Sequence, residues 1–332
     1  MENPRLQAKI RCMHDISKIL VVIDPTVEKQ PAMLRAAWLA RATGAELELL
    51  VCYYNAYLSG DPLFYSPSLE MARKDVIGHQ SRHLEELAEP LRESGVLVRT
   101  SAIWDHPLHE GIVRQAMQSG AELVIKDTHH HSALARALLT NTDWNLIRTC
   151  PVPLWLVKPN VFAEAPAFVA AIDPMHEHDK PAALDDEILQ ISKMLAGKVA
   201  GTVHAFHSFD PRIAIESATA NDYLPVSLPF DEIEQQVHAD HQKRFAEITS
   251  FHGIEDNKAH LASGLAHEEL PIVAKQTNAA VVVMGAMARN RWKRLFIGAT
   301  AERTMEYLPC DLLIVKPEWF STPVEMDSYE AA

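Results

Sequence analysis

The 332-residue sequence predicts an α/β protein built from two tandem copies of a doubly wound domain, each a five-stranded parallel sheet covered by helices. Its length suits two domains of about 150 residues better than one. The phrase Ile-Asp-Pro occurs twice, at Ile23-Asp24-Pro25 and Ile172-Asp173-Pro174, each time closing an apolar run. Residues 105–127 align without gaps on residues 263–285, an offset of 158 that pairs His109-Glu110 with His267-Glu268, Ala116 with Ala274, Ala121 with Ala279 and Val124 with Val282. The same offset pairs Pro151 with Pro309 and Val157-Lys158-Pro159 with Val315-Lys316-Pro317. Duplication is the simplest account of these matches.

Each copy reads as strand, helix, strand, long helix, strand, helix, strand, loop, short helix and last strand. The expected strands of the first copy are Lys18 to Asp24, Glu46 to Tyr53, Leu97 to Ile103, Glu122 to Lys126 and Pro153 to Lys158. Those of the second are Ala167 to Asp173, Val199 to His207, Ala259 to Ser263, Ala280 to Gly285 and Asp311 to Lys316. Several are near-continuous Val, Ile, Leu and Ala runs, the pattern of strands covered on both faces and hence paired in parallel. Ser68 to Ser94 and Phe230 to His252 carry apolar residues at helical spacing, as at Leu84, Leu87 and Leu91, and supply the crossovers a parallel sheet needs. The domains are expected at 16–159 and 166–317. They are followed by an acidic tail, 318–332, with no obvious core face.

Charge and cysteine content narrow the function. Lys and Arg total 31 against 44 Asp and Glu, a net charge of −13, which disfavours nucleic acid and anionic membrane as partners. Runs such as Ile19 to Ile23 and Ala279 to Met284 are far shorter than the roughly 20 apolar residues that span a bilayer. The first fifteen residues lack the apolar core of a secretory signal, so a cytosolic location is expected. Cys12, Cys52, Cys150 and Cys310 form no C-x-x-C pair and read as reduced thiols.

In an open α/β sheet, ligands lodge beyond the carboxyl ends of the strands where strand order reverses. Asp24 and Asp173 are placed there. Either carboxylate could accept hydrogen bonds from a ligand amino group or hydroxyl, or could cap the turn that Asp-Pro favours. In the second copy, Gly285-Ala286-Met287-Ala288-Arg289 leads through Arg291, Lys293 and Arg294 to Gly298-Ala299-Thr300 at the start of a helix. A glycine admits close backbone approach, and free N–H groups at a helix start favour phosphate. The same stretch also reads as a solvated basic loop.

With those residues in place, the chain resembles the tandem type of universal stress protein over nearly its whole length, from about Ile16 to the tail. The resemblance implies an adenine nucleotide alpha hydrolase-like fold. In nucleotide-binding members of that family the last strand, loop and helix read G-x2-G-x9-G-[ST], and an aspartate ending the first strand contacts adenine. The implied nucleotide-binding residues here are Asp173, Gly285, Ala288, Arg289, Gly298 and Thr300. Ala288 replaces the second glycine and Ala299 the hydroxyl residue, so a methyl stands where backbone freedom is wanted and a donor is lost. The first copy departs further: Asp127 matches Gly285, His130 matches Ala288, Thr140 matches Gly298 and Asn141 matches Ala299. An acidic residue opening that loop repels polyphosphate. Asp24, Asp127, His130 and Asn141 therefore mark a candidate cleft for a different small ligand, or an assembly surface.

The resemblance implies a stress-response binding protein holding ATP or AMP in the second copy, with roles in survival under starvation or DNA damage. It further implies pairing of the two domains within the chain and leaves further homo-oligomerisation open. The alternatives are a structural or interaction module without a nucleotide site, and a slow nucleotide hydrolase. No G-x-S-x-G elbow, P-loop or H-E-x-x-H pair is present, so catalysis is not the leading reading. No metal site is expected either: His129-His130-His131 reads as exposed loop, and the helical His79, His83 and His241 read as surface or interface residues. His109 and His267, each at a helix start, are expected to cap the helix or line the cleft.

Overall fold

The structure is a computed structural model that describes residues 16–59, 66–131, 136–159, 162, 165–175, 182–212, 230–286, 304–305 and 307–326. Two compact units divide the chain, residues 1–161 with 313–332, and residues 162–312.

Unit 1 runs β1 (Lys18–Val22), α1 (Pro31–Thr43), β2 (Glu46–Tyr53), α2 (Ala56–Ser59), α3 (Pro67–Glu93), β3 (Val98–Trp104), α4 (Leu108–Ser119), β4 (Leu123–Asp127), β5 (His129–His131), β6 (Arg136–Leu138), α5 (Asn141–Thr149) and β7 (Leu154–Val157). Its sheet has the order β7-β4-β1-β2-β3, with every pair parallel. Ile19, Leu20, Val21, Leu47, Leu49, Leu123 and Ile125 are fully buried, as expected of strands covered on both faces. Trp155, also fully buried, contributes on the order of 2–3 kcal/mol through removal of its ring from water. Helix α1 starts on Pro31 and stops at Gly44, whose φ of 77° lets its N–H turn back to the Ala40 carbonyl at 2.7 Å. The loop expected at the histidine run is instead strand β5, paired antiparallel with β6, with His129 opposite Leu138 and His131 opposite Arg136.

Unit 2 contains β8 (Ala167–Ala171), α6 (Ala182–Lys198), β9 (Thr202–Phe209), α7 (Phe230–Phe251), β10 (Ala259–Ser263), α8 (Ala266–Gln276) and β11 (Ala279–Gly285). Its strands pair in parallel in the order β10-β9-β8-β11. The boundary between the units falls inside β12 (Asp311–Val315), after Leu312. The repeat is visible in the ladder: Ile23 N donates to Leu50 O at 2.8 Å, and Ile172 N donates to Phe206 O at 2.9 Å. Among the described residues no helix is long and apolar enough to cross a membrane.

The acidic tail has a core face after all. Phe320 and Val324 are buried, and the Arg114 guanidinium reaches the Glu325 carbonyl at 3.0 Å. At the root of the tail, buried Lys316 donates to the Ile147 carbonyl in the last turn of α5 and lies 4.7 Å from the Phe320 ring centroid. Burial pushes this amine from its ordinary 10.5 down to about 7. Between those values the unfolded chain binds the extra proton, so stability rises with pH by at most about 1.4 kcal/mol per unit. Above pH 9 the trend reverses, because burial pushes the Cys150 thiol to about 11 and the Cys52 thiol to about 12, so the fold keeps two protons that the unfolded chain loses, against the one that Lys316 has given up. Urea midpoints are expected to rise from pH 7 to 9 and then fall. Lys316→Met should flatten the rising limb, and an equal slope in both proteins would contradict this assignment.

Candidate functional site

In unit 1 strand order reverses between β1 and β4, and in unit 2 between β8 and β11. The carboxyl ends of these strands carry Asp24 and Asp127 in unit 1 and Asp173 and Gly285 in unit 2. The two ends are built differently.

In unit 1 the aspartates are committed to the fold. Oδ1 of Asp24 accepts from Thr26 N at 2.8 Å and from Thr26 Oγ1 at 2.6 Å, the turn-closing role that Asp-Pro permits. Gln30 braces the same turn, donating from Nε2 to the carbonyls of Asp24 and Val27 at 2.7 and 2.8 Å. Oδ1 of Asp127 accepts from Ala32 N at 2.7 Å, which sets a carboxylate on the first turn of α1. Helix α5 receives another: Thr140 caps it, Thr140 N donates to Asp143 Oδ2 at 2.8 Å, and Asp143 N donates to Thr140 Oγ1 at 3.2 Å. The fully buried Asp143 also pairs with Lys126 Nζ at 2.7 Å, and that ammonium donates to the Asp127 carbonyl at 2.9 Å. Two helix N-termini, both natural anion sites, thus hold the chain's own carboxylates. Asn141 is exposed at the first position of α5, its Oδ1 3.3 Å from Asn145 Nδ2. Only the backbone of His130, within β5, is described.

The residues that build this apparatus are replaced in the second copy. At the repeat offset, Lys126, Asp127, Thr140 and Asp143 become Met284, Gly285, Gly298 and Ala301, and by the Ile-Asp-Pro match Thr26 becomes Met175, two residues after Asp173. The half-buried Asp173 side chain accepts no hydrogen bond among the described residues. Its backbone N–H is held instead, donating to Oδ1 of fully buried Asp185 in α6 at 3.1 Å. Gly285 lies against that helix: a Cβ there would stand 2.6 Å from Leu184 Cδ2 and 3.3 Å from Ile188 Cδ1. A Cβ there would displace the Leu184 side chain, so packing of α6 on β11 by itself favours glycine at 285. Ala288, Arg289, Gly298 and Thr300 lie outside the described residues.

Among the histidines, His79 is exposed and His83 half-exposed, with its Nδ1 4.0 Å from Glu86. His241 departs from the surface reading: it is 2% exposed and bonded to His207, which the sequence did not single out. A signal was present, since His207 follows the apolar Ala205-Phe206 pair, one residue past the ladder equivalent of Leu50, where the first copy has Val51. His109 and His267 occupy second positions of α4 and α8, yet neither helix has a side-chain cap bond. Burial lowers the pKa of His109. No group of three or more metal-ligating side chains gathers among the described residues.

Parallel strands wound with helices about a switch point place each unit in the class of doubly wound α/β domains. More specifically, the chain belongs to the universal stress protein family, which residues 15–158 and 173–316 both match. It is 30% identical over 313 residues to universal stress protein E of Escherichia coli (strain K12), covering 94% of this chain and 98% of that protein. It is 24% identical to a universal stress protein E homolog of Haemophilus influenzae, covering 90% and 97%. Among solved structures, a functionally unknown protein from Pseudomonas aeruginosa PAO1 superposes with a TM-score of 0.71 at 27% identity, covering 92% of this chain and 94% of that one. A universal stress protein from Archaeoglobus fulgidus shares the fold, with a TM-score of 0.61 at 18% identity over 90% and 98% of the two chains.

Proposed function

We propose that this stress protein binds an adenine nucleotide, ATP or AMP, in unit 2, and that unit 1 takes no polyphosphate. The observation that carries the reading is the contrast between the aspartates: Asp24 is occupied by Thr26, whereas the Asp173 carboxylate accepts nothing among the described residues. A half-buried acceptor at the switch point suits an exocyclic amine or a ribose hydroxyl. In unit 1, Asp127 and Asp143 already occupy the N-termini of α1 and α5, where a phosphate would meet like charge. In this reading the protein acts in the cytosol and supports survival under stress by sensing or holding the nucleotide.

Titration calorimetry of the full chain with ATP and with AMP tests the proposal. Binding is expected in the micromolar to millimolar range, weakened about tenfold by Asp173→Ala, the loss of one or two hydrogen bonds. Asp24→Ala should leave affinity unchanged. No heat at millimolar nucleotide would remove the proposal. It would leave standing the structural-module reading, which the packing of α6 against Gly285 favours.

A further inference from the structure

Unit 2 buries two imidazoles in contact beneath its candidate site. His207 on β9 is 3% exposed and His241 on α7 is 2% exposed. His207 Nδ1 lies 3.2 Å from the Ile172 carbonyl oxygen, and its Nε2 lies 2.7 Å from His241 Nδ1. A carbonyl only accepts, so the His207 proton sits on Nδ1. With one proton on each ring, Nε2 is then the acceptor and His241 Nδ1 the donor. The rings stack at 5.0 Å. Phe209 stacks on His241 at 4.5 Å, and Phe245 packs against His207 at 5.9 Å.

The carbonyl that His207 holds belongs to the peptide joining Ile172 to Asp173. The N–H of that same peptide is the one held by Asp185, at 3.1 Å. One rigid peptide plane is thus gripped at its oxygen by an imidazole and at its nitrogen by a carboxylate. A planar unit fixed at both ends sets ψ of Ile172 and φ of Asp173, and with them the direction of the Asp173 Cβ. We propose that His207, backed by His241, is a positioning residue for Asp173, aiming toward a ligand a carboxylate that accepts nothing among the described residues.

Unit 1 shows that the fold does not require the imidazoles. By the ladder equivalence of Leu50 with Phe206, the counterpart of His207 is the fully buried aliphatic Val51. The counterpart of His241, His83, is half-exposed. There the aspartate is oriented by its own bonds to Thr26, which occupy Oδ1. Burying two polar rings is unfavourable unless their hydrogen bonds are made, so the pair in unit 2 is a costly substitute for valine that serves the backbone of Asp173.

The inference rests on Asp173 facing the ligand, and its test separates the two ideas. Full-length His207→Val, His207→Asn and His241→Phe are compared with wild type by ATP calorimetry, by NMR amide exchange of Asp173 and by the nitrogen resonances of His207. In wild type, His207 Nδ1 is expected to be the protonated nitrogen. His207→Val should speed Asp173 amide exchange and weaken ATP binding by about tenfold. His207→Asn, whose amide N–H can reach the same carbonyl, should restore most of both. His241→Phe keeps the stack, removes the donor to Nε2, and should shift exchange in the same direction by less. Unchanged Asp173 exchange and unchanged ATP affinity in His207→Val would overturn the inference, as would a His207 protonated on Nε2 alone. If His207→Val fails to fold, His241→Phe decides by the same exchange measurement. If wild type binds no ATP, the nucleotide reading falls, while the exchange and nitrogen measurements still decide whether the peptide is clamped.

Discussion

Arg114→Met is expected to destabilise unit 1 by about 3–5 kcal/mol, the usual cost of leaving a buried charge without its partner. Arg114 is 6% exposed and Asp105 8% exposed, and they form an ion pair; a second guanidinium nitrogen lies 2.5 Å from Glu110 Oε2. The third, Nε, holds the Glu325 carbonyl. Methionine fills much of the same volume but leaves Asp105 beside the half-buried Cys52 thiol, which desolvation and then Asp105 already push up to about 12. The urea midpoint should fall, and limited proteolysis should cut the tail near Glu325 sooner than in wild type. Arg114→Lys should keep part of the stability while losing the tail, because an ammonium lacks the fork that reaches both the carboxylates and the carbonyl. The repeat partner of Arg114 is Ile272, 47% exposed, so the anchor belongs to unit 1 alone. An unchanged midpoint for Arg114→Met would mean that the triad contributes nothing net.

The second large effect is expected at Asp143. Its carboxylate serves the Thr140 cap and the Lys126 ammonium together, from a fully buried position. Asp143→Ala should cost about 3–5 kcal/mol, most of it from stranding Lys126 and about 1 kcal/mol from the lost cap. Adding Lys126→Met should recover a good part of the loss, since a double apolar replacement leaves no buried charge behind. Equilibrium denaturation of both singles and the double measures this. Strict additivity would show that the two side chains do not act as a pair.

The fold was legible because its signals are redundant. Short β-branched and aliphatic runs such as Ile19 to Val22 and Val281 to Val283 read as strands covered on both faces, and the doubled Ile-Asp-Pro marks the repeat. Element ends were less legible where a polar residue is satisfied inside. Strand β9 was expected to stop at His207 yet runs on to Phe209, because an imidazole bonded to Ile172 O and His241 is as good a core residue as an apolar one. The tail face was missed because only Phe320 and Val324 carry it, two residues in an otherwise acidic stretch.

Site legibility split in the same way. That an acidic residue, Asp127, opens the first copy's loop is readable from the sequence. That it caps α1 through Ala32, and that Asp143 and Lys126 close α5, required the packing of elements far apart in sequence. Gly285 was read as a mark of ligand approach, whereas the nearest atoms its missing side chain admits are those of Leu184 and Ile188. The difference between Asp24 and Asp173 turns on a threonine two residues downstream in one copy and Met175 in the other, a distinction too small for pattern matching to weigh.

One half of this duplicated protein fills the N-termini of α1 and α5 with its own carboxylates, while in the other the Asp173 carboxylate accepts nothing among the described residues. Photolabelling of the full chain with an azido-adenine analogue of ATP, followed by peptide mapping, tests the reading built on this contrast most directly. Label is expected in unit 2 peptides flanking Asp173, competed by unmodified ATP and lost in Asp173→Ala. Competed label in the peptides carrying Asp24 and Asp127, untouched by Asp173→Ala, would contradict it.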